Sequence, residues 1–243
     1  MNRVSNPYVR IALDFNRLAP SGRSRMRAVL RLWAAAVTAF LLLAPGLAAA
    51  PDKPAPVADL RLMVIGDSLT AGFGLPAEEA FPSQLEAALR AEGLSVSVLN
   101  AGVSGDTSAG GRSRLDWALA DKPDAVIIEL GGNDGLRGIE PKTTYDNLAA
   151  MIGTLQSRGV PVFLAGMYAP PNLGAAYGKE FRGVYTRLAA AFAVPLQEFF
   201  LEGVAAQAKF NQADGIHPNA AGVAVIVENL KPKLVTWLST IRR

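Results

Sequence analysis

The 243-residue chain has no cysteine and a single histidine. Without cysteine there can be no disulfide, no thiol nucleophile, no zinc–thiolate site and no lipoprotein-type acylated cysteine. With one histidine, imidazole chemistry near neutral pH has one candidate, His217, in Asp214-Gly215-Ile216-His217-Pro218-Asn219. Phosphate-cradling signatures are also missing. No Walker-type Gly-Lys-Ser/Thr occurs, and Gly72-Phe73-Gly74-Leu75-Pro76-Ala77 fits G-x-G-x-x-A only by count, with Pro76 inside it and no strand directly before it. The Gly-x-Ser-x-Gly nucleophile elbow is absent too, because Thr70 stands where its second glycine belongs. No internal repeat or low-complexity tract is visible outside the N-terminal segment.

A long apolar run is lacking as well. The run from Trp33 to Leu43 is shorter than the roughly 20 residues a membrane-spanning helix needs. It follows a basic start at Met26-Arg27 and precedes Ala48-Ala49-Ala50, the order of a secretory signal peptide. Residues 1–50 therefore read as an N-terminal extension plus export signal, with translation expected to start at Met26. Residues 51–58, rich in Pro and Ala, read as a linker. The first 50 residues hold seven of the 24 Lys and Arg and one of the 21 Asp and Glu. Residues 51–243 thus carry 17 basic and 20 acidic side chains, a net of −3. Nothing basic is left there to suggest nucleic-acid binding. Once the signal is removed no stable membrane anchor is expected, and the remaining length suits one domain, residues 59–243.

Within that region apolar runs alternate with helical spacing. Strands are expected at Leu60–Ile65, Val96–Leu99, Ala125–Leu130, Val160–Leu164 and Val194–Leu196. Helices are expected at Pro82–Arg90, Arg112–Leu119, Thr143–Gln156, Gly183–Phe192 and Ala220–Leu230, with a kink at Pro232. Strands that are continuous apolar runs, separated by helices, specify an α/β fold: a five-stranded parallel sheet covered on both faces. The third strand is apolar except for Glu129. In such sheets ligands bind beyond the carboxyl ends of the strands.

The polar clusters fall at those ends. Ser68, in Gly66-Asp67-Ser68-Leu69, follows the first strand, where its hydroxyl and its N–H face the crevice. Ser104-Gly105-Asp106-Thr107 follows the second, and Gly105 lets the backbone approach a ligand and offer an N–H to a developing oxyanion. Gly131-Gly132-Asn133-Asp134 follows the third, and the Asn133 amide can donate to the same oxyanion. Asp214, three residues before His217, is near enough to bind one ring nitrogen, leaving the other to face a nucleophile. Taken singly, each cluster reads first as an ordinary turn, cap or loop. Their joint order is the informative feature. Asp67 and Asp134 are expected to fix loops through backbone N–H groups. A hard-metal cluster of Asp67, Asp106, Asp134 and Asp214 ranks below acyl chemistry.

Gly66-Asp67-Ser68-Leu69, Gly105, Gly131-Gly132-Asn133-Asp134 and Asp214-Gly215-Ile216-His217-Pro218 resemble the four blocks of the SGNH (GDSL) hydrolases. Ser104-Gly105-Asp106-Thr107-Ser108 and Glu129 to Gly138 resemble the branch holding bacterial periplasmic thioesterase/protease/lysophospholipase enzymes and arylesterases. The resemblance covers residues 59–235. It implies a three-layer α/β/α sandwich of flavodoxin type. It also implies a catalytic Ser68, His217 and Asp214, and an oxyanion hole of the Ser68 and Gly105 N–H groups with the Asn133 side chain. It implies no metal and no organic cofactor. The implied protein is an exported hydrolase, periplasmic or secreted, that cleaves small acyl esters or thioesters through an acyl-enzyme. Met167, Tyr168 and Leu173 favour an acyl chain or aromatic ring in the crevice, which Ile139–Leu148 and Pro170–Tyr177 are expected to line or cover. A carbohydrate O-acetylesterase and a non-catalytic binding module are the alternatives. The sequence specifies no oligomeric state.

Overall fold

A computed structural model describes residues 59–241; the expected export signal and the whole linker lie outside the described residues. The elements, in chain order, are β1 (Leu60–Gly66), α1 (Ser68–Ala71), α2 (Phe81–Ala91), β2 (Val96–Gly102), α3 (Ser108–Ser113), α4 (Leu115–Ala118) and β3 (Ala125–Glu129). There follow α5 (Gly132–Leu136), α6 (Pro141–Ser157), β4 (Val162–Ala165), α7 (Ala175–Phe192), β5 (Leu196–Gln197) and α8 (Ala220–Ser239). The five strands form one parallel sheet in the order β2-β1-β3-β4-β5.

Burial explains the strand signal. β3 and β4 are buried at every residue and β1 at all but Arg61, so both of their faces need apolar side chains. β2, at the sheet edge, is mostly half-buried and mixes Ser97 and Asn100 into the run. Helix α2 packs against α8, while α6 packs against α3 and α7. The core includes Leu62, Ile65, Ile127, Ile128, Leu148, Phe163 and Phe181. Each fully buried side chain of this kind contributes about 1.5–3 kcal/mol. Among the described residues no helix is long and apolar enough to cross a membrane.

Several elements differ from expectation for local reasons. The single helix expected over Arg112–Leu119 is two, α3 and α4, broken at Arg114. Its guanidinium is committed elsewhere, to Asp106 (2.6 Å) and to the Gly66 carbonyl (3.0 Å). Helix α3 also starts earlier, where the Thr107 hydroxyl caps the Gly110 N–H. Helix α7 begins at Ala175 rather than Gly183, because Gly178 and Gly183 dilute its periodicity. Helix α8 runs through Pro232 to Ser239. Pro232 is exposed, so the carbonyl freed four residues upstream can bind water and the helix is not ended.

In a 2-1-3-4-5 sheet the connections leave β1 in opposite directions, opening a crevice at the carboxyl ends of β1 and β3. Ser68 follows β1 and Asn133 follows β3.

Candidate active site

Asp67 is the N-cap of α1, and its Oδ1 accepts from Leu69 N–H (3.0 Å). Ser68 is thereby the first helical residue, where an N–H has no intrahelical acceptor and can serve a ligand. His217 is fixed from the other end of the domain. Asp214 Oδ1 accepts the N–H groups of Ile216 (2.9 Å) and His217 (3.0 Å), closing the loop on itself. Asp214 Oδ2 lies 2.6 Å from His217 Nδ1, and His217 Nε2 lies 3.0 Å from Ser68 Oγ. A carboxylate can only accept, so Nδ1 carries the proton and Nε2 accepts from the serine hydroxyl. The hydrogen bonds that the His217 N–H, the His217 ring and the Ile216 N–H donate to Asp214 lower its pKa to about 2, so it stays ionised wherever the ring is neutral.

Asn133 sits in α5, and its Nδ2 donates to Asp67 Oδ2 (3.0 Å) and to the Asp106 carbonyl (3.0 Å). That second bond draws the β2–α3 loop, with Gly105 at φ +85°, up to the end of β3. Arg137 holds the loop from outside through the Gly105 carbonyl (3.0 Å). Ser68, Asn133, Asp214, His217 and the Gly105 loop are therefore brought to one place. Gly105 itself lies outside the crevice wall. Asp134 serves as expected of a loop anchor, accepting from Ser108 N–H (2.8 Å), Ser108 Oγ (2.5 Å) and Thr144 Oγ1 (3.0 Å).

Behind Ser68 lie acids whose connection the sequence reading missed. Glu129 is fully buried; its Oε2 accepts from Thr70 Oγ1 (2.6 Å), while its Oε1 has no hydrogen-bond partner among the described residues. A side chain at Gly66 would collide with this pair, its Cβ 2.1 Å from Thr70 Oγ1. Burial, reinforced by the nearby Asp67 charge, drives the Glu129 pKa well above the ordinary range. Burial also raises Asp67, from 3.8 to about 6, against the lowering effect of its bonds from Leu69 and Asn133. The lone acid in an apolar strand was the one available signal.

A carboxyl with a raised folded-state pKa holds its proton more tightly when folded. The stability it brings is full below pH 3.8 and is lost as the pH rises through about 6. Across that window Asp67 should cost on the order of 2–3 kcal/mol. Asp67→Asn is expected to flatten the fall in stability between pH 4 and about 6.5 by urea unfolding, and an unchanged slope would count against this assignment.

The crevice has a volume of about 490 Å³ and runs from Ser68, Asn133 and His217 between apolar walls. Leu136 and Ile216 form its rim, with Met167, Tyr168, Phe199 and Leu201 further along. Tyr168 stacks flat on Phe199, ring centroids 4.1 Å apart, and the Arg182 guanidinium covers the other side of Tyr168 at 4.3 Å. Pro170 and Pro171 line the crevice as expected. Leu173 and Ile139–Leu148 do not: Leu148 is core, because α6 starts at Pro141 and turns that segment inward. The wall there is Leu136. Among the described residues no group of three His, Asp or Glu side chains is placed to hold a metal ion.

Comparison with known proteins agrees with this geometry. The GDSL-like lipase/acylhydrolase family model matches residues 64–225. The esterase TesA of Pseudomonas aeruginosa is 45% identical over 174 residues, covering 71% of this chain and 87% of that protein. Thioesterase 1/protease 1/lysophospholipase L1 of Escherichia coli K12 is 36% identical over 201 residues, covering 82% and 88%. The crystal structure of the psychrotrophic esterase EstA from Pseudoalteromonas sp., inhibited by monoethylphosphonate, superposes with a TM-score of 0.71 at 34% identity, covering 75% of this chain and all of that one (100%).

Proposed function

The chain belongs to the GDSL-like lipase/acylhydrolase family and is a serine ester hydrolase, and from that premise we propose that Ser68, His217 and Asp214 carry its reaction. The observation behind the assignment is the unbroken pair of contacts, 2.6 Å from Asp214 to His217 and 3.0 Å from His217 to Ser68. Ser68 Oγ attacks the acyl carbon as its proton passes to His217 Nε2. The carbonyl oxygen becomes an oxyanion, received by the Ser68 and Gly105 N–H groups and the Asn133 amide. Both Asn133 N–H groups are engaged in this structure, so one must be shared or turned from Asp67 or Asp106 to the oxyanion. The tetrahedral species expels the alcohol or thiol, which takes the proton from His217. Water then repeats the sequence and releases the acid.

The acyl part of the substrate occupies the apolar crevice. Leu136, Met167, Phe199 and Ile216 suit an aliphatic chain and offer a sugar few hydrogen-bonding groups, which favours longer acyl esters and thioesters over carbohydrate acetates. Each buried methylene contributes about 0.8 kcal/mol, close to fourfold. From acetyl to hexanoyl, kcat/KM on p-nitrophenyl esters is expected to rise at least about tenfold. Faster turnover of acetylated sugars than of hexanoyl esters would reverse this reading in favour of the acetylesterase. We also read residues 26–50 as an export signal, on their basic start, apolar core and Ala48-Ala49-Ala50.

A further inference from the structure

Among the described residues the exposed large hydrophobic side chains are Phe73, Val103, Trp117, Leu136 and Ile216. Leu136 and Ile216 belong to the acyl crevice. Phe73 and Val103 do not, yet both are tied to the nucleophile's surroundings. The Phe73 N–H donates to the Ser68 carbonyl (3.1 Å), and the Val103 N–H donates to the Gly66 carbonyl (3.0 Å). The Phe73 ring leans on the His217 ring, centroids 4.5 Å apart and planes tilted by 36°. It stays 51% exposed.

Phe73 is also held more firmly than a surface ring needs. Gln212 Nε2 donates to the Phe73 carbonyl (2.7 Å) and to the Pro218 carbonyl (2.9 Å). The Gln212 N–H donates to the His217 carbonyl (2.7 Å). One side chain thus fastens the Phe73 turn to the loop that carries the base. Gly74 makes that contact possible: a Cβ there would lie 2.2 Å from Gln212 Oε1. A ring used only for packing would be turned inward. This one is fixed beside the catalytic imidazole with half its surface facing solvent.

With the acyl chain in the crevice, the departing oxygen or sulfur has to lie within reach of His217 Nε2, and the group attached to it leaves the crevice. We propose that Phe73 is the apolar bed on which that leaving group rests, making it a specificity-determining residue that favours aryl and other flat apolar alcohols and thiols. This rests on the assignment of Ser68 and His217 above and extends it from the acyl half of the substrate to the other half.

The test compares phenyl butyrate with 2,2,2-trifluoroethyl butyrate, which share an acyl group and so an acyl-enzyme. The readout is kcat/KM, which reports acylation. In Phe73→Ala the phenyl-to-trifluoroethyl ratio is expected to fall about 3- to 10-fold relative to the parent protein, the range aromatic contacts supply. Phe73→Trp should keep the ratio within about twofold, and Phe73→Leu should lower it, because the flat face is lost while apolar bulk remains. An equal fall for both esters would overturn the proposal and leave Phe73 as a prop for His217. No change in either would overturn it as well. Fluorophosphonate labelling of Ser68 in the same samples separates the two levels: a parent protein that does not label would sink the Ser68 assignment, whereas normal labelling with an unmoved ratio would sink only the role of Phe73.

Discussion

Ser68→Ala should remove ester turnover almost completely, by a factor on the order of 10⁴ or more, while leaving the fold intact. The hydroxyl is the only group on its side chain, and its hydrogen bond in this structure is to His217, so its loss removes the attacking atom and little packing. Circular dichroism and the thermal midpoint should match those of the parent protein. Covalent labelling by a fluorophosphonate should vanish in the variant. His217→Ala should cost a comparable factor, because the members of such a unit are not additive. A Ser68→Ala protein that still turns over p-nitrophenyl esters at a tenth of the parent rate would end the proposed mechanism.

The second large effect is on stability. Asp134 is 1% exposed and accepts three hydrogen bonds, from the Ser108 N–H and the Ser108 and Thr144 hydroxyls. Those partners come from α3 and α6, so one side chain joins α3, α5 and α6. Asp134→Ala strands the buried donors, each costing about 1–3 kcal/mol if it finds no new partner. The hydroxyls can rotate and the Ser108 amide cannot, which puts the loss at about 2–4 kcal/mol. In a domain of this size the midpoint should drop by about 5–15 °C. Asp134→Asn, which keeps one acceptor, should fall between the two. A midpoint within a degree of the parent protein would show that the network carries no net stability. Because Asn133 precedes Asp134 on the same short helix, a fall in kcat should accompany the fall in stability.

How much of this was readable from the chain depended on whether a residue acts locally. β1 and β3 were legible because burial on both faces makes each a continuous apolar run. β5 was placed two residues early because it has only two residues and a weak signal. Ser68, Gly105 and Asn133 stood out as candidates because each follows a strand end, and His217 because it is the only histidine and has an aspartate three positions before it. The contact from Asp67 to Asn133 was not, since its partners are 66 positions apart and nothing in either neighbourhood announces the other. Phe73 was concealed by its setting. In sequence it is one letter of a glycine-rich turn with a chance resemblance to a nucleotide motif. Only the folded chain sets its ring against His217. Glu129 was visible as an anomaly, an acid in an apolar strand, but its raised pKa follows from burial that no single strand reveals.

Ser68 and His217 are separated by 149 positions, and the Gln212 contact with Phe73 spans 139. Under the proposed mechanism a ribosome-bound chain therefore displays its nucleophile long before its base has been synthesised. Such a fragment holds a serine no more reactive than any other hydroxyl. Under that mechanism hydrolysis begins only when the segment carrying His217 closes over the one carrying Ser68, so enzymatic activity doubles as an assay of complete folding, and a product truncated before His217 should be inert toward esters.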